Sequence, residues 1–421
     1  MTTDPNATLD RLTGDQLAML VPELLLTGQL IDRSGMAHLI SAFGRDGMAQ
    51  VAIEEWMAAS PVYTGRMRAA LGIDGDGVVD MFKCLQLDIG APPQFMDFRY
   101  RVDDEYHGSF VLDHCGALLD VEPMGEDYVT AMCHTIEDPT FDATAIATNR
   151  RARIRPVHRP PRMPVDRTPH CEWAVTIEPD RDELPLPEVT KPMLARRAAT
   201  VELSPIDPAS TDGLVDYRGP LVADLNFAEW SASALRRILE EVTLQHQLLA
   251  LGFLDSVFRR ADDAAADDIF DKQLIGIAGI ASERVRAAVF ENRSDAQTLA
   301  DVLNLNPVFG PRQYTGLYAE AVDDERVDVH IPSDSDALAD GGWMRLLAGG
   351  RLGALQSAST AVDPTWVVGE SFGGPVETVI RIGRGEPQSE SGEVAIVRFS
   401  GGASFSFADR GPSQSLPLTV V

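Results

Sequence analysis

Residues 12–31 read LTGDQLAMLVPELLLTGQLI, and residues 230–249 read WSASALRRILEEVTLQHQLL. Both place apolar side chains at helical spacing behind a polar residue able to cap a helix, so each opens a long helix. They stand 218 residues apart, and at that offset residues 9–71 lie against 227–289 without a gap. The blocks also close alike, on GRMRAAL (65–71) and ERVRAAV (283–289). Self-similarity on this scale changes how every other segment is read.

Three further matches follow in the same order. YRVDDEYHGSFVLDHCGALLD (100–120) parallels EAVDDERVDVHIPSDSDALAD (320–340) at an offset of 220. EDPTF (137–141) parallels VDPTW (362–366) at 225, and HCEWAVTI (170–177) parallels PVETVIRI (375–382) at 205. The expectation is an α+β fold of two tandem, duplicated units, each an N-terminal helical hairpin followed by a small antiparallel sheet with helices. Residues 1–178 form the first unit, 179–222 a connector rich in proline and acid, and 223–421 the second. The two units are expected to pack together as a pseudo-dimer. Thr13 or Asp15 caps the first helix, and Gly44, Gly47 and Pro61 punctuate the helical stretch. Phe98, Tyr100 and Val102 alternate with charged residues, as a half-buried strand should. Asp103-Asp104-Glu105 then turns the chain into a second strand at 108–114. No proline lies between Pro220 and Pro307, which leaves room for two or three sizeable helices.

The composition is that of a folded protein with more than one core: 421 residues, 44 % hydrophobic and 24 % charged. A net charge of −28 repels phosphate backbones and anionic lipid, so neither nucleic acid nor membrane is an expected partner. The N-terminus is polar and acidic, without the basic and apolar regions of a signal peptide. With only four cysteines, this points to a cytoplasmic protein with free thiols.

All four cysteines fall in the first unit. In the matched segments Cys115 becomes Ser335, His114 becomes Asp334, Cys133 becomes Ala358, His134 becomes Ser359 and Cys171 becomes Val376. A copy that keeps the scaffold without thiols or imidazoles suggests one active unit and one structural or regulatory unit. In a catalytic reading, Cys115 or Cys133 is the nucleophile, His134 or His114 the base, and Glu137 the orienting acid. In a metal-binding reading, Cys115, Cys133, His170 and Cys171 hold Zn or Fe, although their spacings are not the short knuckles of structural zinc. In the plainest reading the thiols are simply buried. Residues 149–170 carry a run of arginines in an otherwise acidic chain. Arg151, Arg153 and Arg155 read either as a clamp for an anionic small-molecule substrate or as a solvated loop lying across the acidic partner unit.

LDHCGALL (112–119), AMCHTIED (131–138) and HCEWAVTI (170–177), with AIEEWMAA (52–59), resemble the L-2-amino-thiazoline-4-carboxylic acid hydrolase family and related bacterial proteins. The resemblance covers residues 9–178 and, much faded, 227–400. It implies hydrolytic opening of a small C=N-containing heterocycle or amidine-like bond, with Cys115, Cys133 and Cys171 at or near the site. The arginine-rich segment, the histidines beside the cysteines and the second copy depart from that pattern.

Overall fold

The computed structural model of the protein describes residues 7–408 and 411–416. The first unit runs α1 (Gly14–Leu71), β1 (Met96–Val102), β2 (His107–Cys115), α2 (Gly116–Val121), α3 (Glu137–Ile146), β3 (Ala152–His158) and β4 (Cys171–Ile177). The second runs α4 (Ala232–Phe258), α5 (Asp263–Val289), β5 (Tyr318–Asp323), β6 (Arg326–Pro332), α6 (Asp336–Asp340), α7 (Gly353–Val362), β7 (Trp366–Gly373) and β8 (Glu377–Arg384). The α+β organisation of two helix-then-sheet units is as expected.

Thr13 caps α1 in a reciprocal capping box with Gln16. Of the three punctuation points only Gly44 breaks the helix, at φ 70°, a conformation glycine adopts without penalty. The two arms fold back on each other, because Trp56 Nε1 donates to Asp32 Oδ2 at 2.9 Å. An unbroken helix would hold those residues about 36 Å apart. In the second unit the same turn separates α4 from α5, and Asp262, 218 residues beyond Gly44, caps α5.

The hairpins pack across a pseudo-twofold seam. Arg66 on the second arm of α1 pairs with Glu241 of α4 at 2.9 Å, and Arg284 of α5 pairs with Glu23 on the first arm of α1. Each pair is the other with both partners moved by 218 residues, as in an isologous dimer interface. The symmetry extends further: Arg66 also donates to the carbonyls of Ala199 and Val201, and Arg284 to those of Ala403 and Phe405. So the connector is not a loose tether. It contributes a packed arm, with Thr190, Met193 and Ala198 buried, and the segment after β8 contributes its counterpart. One continuous apolar core runs through both halves.

Each sheet is antiparallel, in the order β1-β2-β4-β3 and β5-β6-β8-β7. Their register corrects the sequence matches. Phe110 lies opposite Trp173 with both buried, and its counterpart pair is Val329 opposite Ile380, also buried. The offset in β2 and β6 is therefore 219, because 220 would set part-exposed His330 on Phe110 and turn every side chain to the other face. One extra residue then precedes α6, so Cys115 and Ser335 do correspond. Cys115 Sγ caps α2 by accepting from Leu118 N, and Ser335 Oγ caps α6 by accepting from Leu338 N. Cys171, opposite Leu112, corresponds to Thr378, opposite Ile331, and not to Val376. The match of EDPTF with VDPTW fails: the first begins α3, whereas the second leaves α7 and enters β7. Ala358 and Ser359 are thus not the counterparts of Cys133 and His134.

The side chains of the two seam pairs are only 2–15 % exposed. Removing one partner of such a pair strands the other charge, at a cost of about 3–5 kcal/mol. Arg66→Met and Arg284→Met should each lower the unfolding free energy by about 3 kcal/mol in denaturant titrations. Markedly unequal losses would contradict the pseudo-twofold account.

Candidate functional site

Cys115 ends β2, Cys171 opens β4, and Cys133 sits on a π-helical turn, Ala131–Ile136, leading into α3. Pro139 in the first turn of α3 has no N–H to give the carbonyl four residues back, which favours such a widened turn. The three thiols are buried and converge. Each is influenced by the Glu137 carboxyl, and Cys133 by both other sulfurs. Burial first, then the negative charge of Glu137, raises all three, Cys115 to about 12. They are neutral thiols in the resting protein, which removes the basis for a preformed thiolate nucleophile.

Glu137 lies among these thiols. Its Oε2 is shielded from solvent and has no hydrogen-bond partner among the described residues. Burial pushes its carboxyl up to about 8, against the opposing pull of Arg159. Arg159 donates to Asp138 at 2.5 Å and to the Cys133 carbonyl at 3.3 Å, and lies over the Trp173 ring. The histidines are placed otherwise than expected of a base. His134 Nε2 meets the Pro160 carbonyl at 2.7 Å, and His114 packs near His170, their ring centroids 6.4 Å apart. The arginines singled out as a clamp are engaged along the edge of the sheet. Arg151 pairs with Glu183, Arg155 with Asp142, and Arg153 donates to the carbonyls of Arg150, Ala152 and Asp182. Among the described residues no group of three or more His, Cys, Asp or Glu is placed to hold a metal ion. Cys115, Cys133, His170 and Cys171 are therefore not gathered into a Zn or Fe site.

The hairpin contributes a second set of groups. Arg33 is 6 % exposed, and its Nε donates to Asp120 Oδ2 at 3.0 Å, while Nη1 and Nη2 have no partner among the described residues. Its charge acts on the Cys115 thiol on one side and on the Glu55 carboxyl on the other. Glu55, 1 % exposed, lies against Asp32; burial first, then the charge and hydrogen bond of Asp32, keep it protonated. Asp32 also accepts from Trp56 Nε1.

The second unit supplies an internal control. At the offset of 218, Asp32, Arg33, Trp56, Ser60 and Tyr63 correspond to Ala250, Leu251, Leu274, Ala278 and Ala281, each at most 1 % exposed. The same hairpin therefore folds with an apolar interior at these positions. A buried polar atom without a partner costs about 1–3 kcal/mol. Among the described residues the first unit retains Glu137 Oε2 and both Nη of Arg33 in this state. Costly polar groups at positions the second copy fills with apolar residues make this the candidate site. Sequence reading missed Asp32, Arg33 and Glu55, although a charged pair opposite Ala250-Leu251 was a visible signal. A separate cleft of about 270 Å³ lies between the start of the first unit and the second unit, but its buried acid, Glu240, is already held by Ser204 and Gln313. Among the described residues, no helix is long and apolar enough to cross a membrane.

Because the folded state holds the Glu137 proton more tightly than the unfolded chain, its protonation favours folding. That contribution is complete below about pH 4 and is lost as pH rises towards 8. Urea midpoints of the wild type and Glu137→Gln should therefore diverge in favour of the variant from about pH 4 to pH 8, then run parallel. A constant gap would mean a solvated carboxyl. No family model, curated protein or solved structure matches the chain, so the site rests on its own residues.

Proposed function

We propose that the first unit is a hydrolase-like site for a small anionic molecule with a C–N or C–S bond. Arg33 receives the anion and Glu137 donates the proton. The observation that carries this reading is the pair of Nη groups that Arg33 leaves without a partner among the described residues, its charge reaching the same thiol as the protonated Glu137 carboxyl, whose Oε2 is likewise unpaired. An anion on the free Nη groups would satisfy donors that nothing else among the described residues satisfies. Cleavage of a C–N bond needs a proton on the departing nitrogen, and an acid with a pKa near neutrality is suited to deliver it. In this reading water is the nucleophile, and the neutral thiols of Cys115, Cys133 and Cys171 line the site. The hydrolytic opening of a small heterocycle, implied by the family resemblance, is a reaction of this class.

The test is turnover of a panel of cyclic amidine and thiazoline carboxylates by the full-length protein. Activity should fall as pH rises through about 8, Glu137→Gln should lose it by about a hundredfold or more, and Cys133→Ser should retain most of it. A fully active Glu137→Gln, or an activity carried by Cys133, would overturn these assignments.

A further inference from the structure

Arg33 is oriented from the other half of the protein. Asp120 Oδ2 accepts both from Arg33 Nε at 3.0 Å and from Ser400 Oγ at 2.7 Å, while Oδ1 accepts from Gly401 N at 3.2 Å. Ser400 and Gly401 belong to the arm of the second unit that follows its last helix, Gly392–Arg398, and Ser400 is 4 % exposed. Arginine and carboxylate normally meet at two points, with two parallel N–H···O bonds. At Asp120 the second point is taken: Gly401 occupies Oδ1, and Ser400 shares Oδ2. The guanidinium is left on one bond through Nε, with both Nη groups free.

The second unit has the same clasp without the arginine. Asp340 accepts from the backbone N–H groups of Arg197 and Ala198, both at 2.9 Å, on the arm of the first unit, and the place of Arg33 is taken by Leu251. The third partner of Asp340 is the Tyr314 hydroxyl at 2.9 Å. An arm gripping an aspartate is thus a feature of both halves, and the first half adds an arginine to it. We propose that Asp120 and Ser400 are positioning residues that keep the Nη fork of Arg33 open, so that the second unit completes the site of the first. This rests on the reading of Arg33 as the anion receptor. Without the Ser400 hydroxyl the Asp120 carboxylate can turn and engage Nε and Nη together, closing the fork.

The experiment compares iodoacetate with iodoacetamide on the folded, full-length protein, with alkylation of each first-unit thiol followed by peptide mass spectrometry. The reagents differ in one negative charge, so their rate ratio reads the positive field beside the thiols. General loosening of the fold accelerates both and draws the ratio toward that of the unfolded chain, so a lowered ratio is read only where the iodoacetamide rate stays at its wild-type value. For Cys115 the wild-type ratio should exceed that of the unfolded chain, and Arg33→Leu should lower it by about tenfold or more, as expected on losing a unit charge nearby. Ser400→Ala should lower it several-fold, and Ser400→Thr, which keeps the hydroxyl, should restore it. If Arg33→Leu lowers the ratio and Ser400→Ala does not, the positioning role is overturned and the anion receptor stands. If Arg33→Leu leaves the ratio unchanged, both are overturned.

Discussion

Two arginine–glutamate pairs across the seam organise the molecule. Arg66 on Glu241 and Arg284 on Glu23 tie the second arm of α1 to α4 and the first arm to α5. Both arginines also grip the carbonyls of an arm that leaves its sheet and returns along the seam. A charge buried this deeply is costly unless it is paired and hydrogen-bonded, as these four are. The pairs therefore fix the antiparallel hairpins, the outward placement of the sheets and the path of the arms together.

Against that symmetric frame the two halves differ in the chain between the second and last strands of each sheet, and in the interior. Between hairpin and sheet, the second unit is filled by residues such as Leu251, Leu274 and Ala281, as an ordinary core would be. The first unit places there an arginine with two idle donors, a carboxyl pair with one partner protonated, an isolated acid and three thiols. The frame itself explains how this is tolerated. The helical seam and the two sheets hold the interior closed, so groups that destabilise it can persist where a smaller core would open.

The hairpins, the strand pairs and the internal repeat were legible because each depends on local periodicity. The register was not. His330 occupies an alternate position in VDVHIP that looks equivalent to Phe110, and only the pairing of β6 with β8 shows which face is inward. EDPTF misled because Asp-Pro serves equally well in the first turn of a helix and just after one. The thiols were found, since cysteine is rare, yet their protonation state depends on burial that no spacing reveals. Arg151, Arg153 and Arg155 drew attention as a charge run, but the acids they meet, Glu183 and Asp142, could be named only from the fold. Arg33, isolated in an apolar helix, was the more telling charge.

The central claim is that the polar interior of the first unit serves function at the expense of stability. It is tested most directly by the double variant Arg33→Leu/Glu55→Gln, which installs the residues the second unit has at those positions, Leu251 and Gln273. Asp32 keeps a hydrogen-bond donor in the side-chain amide that replaces the Glu55 carboxyl, and Asp120 keeps its two donors from the arm. Replacing a whole buried ion pair by apolar volume is often neutral or stabilising, and removing one partner is tolerated where the other keeps its hydrogen bonds, as Asp120 does here. The account predicts a denaturant midpoint equal to or above that of the wild type at neutral pH, with an unchanged slope. A midpoint that falls by several kcal/mol of unfolding free energy would show that the cluster holds the fold together, and would contradict its reading as a site.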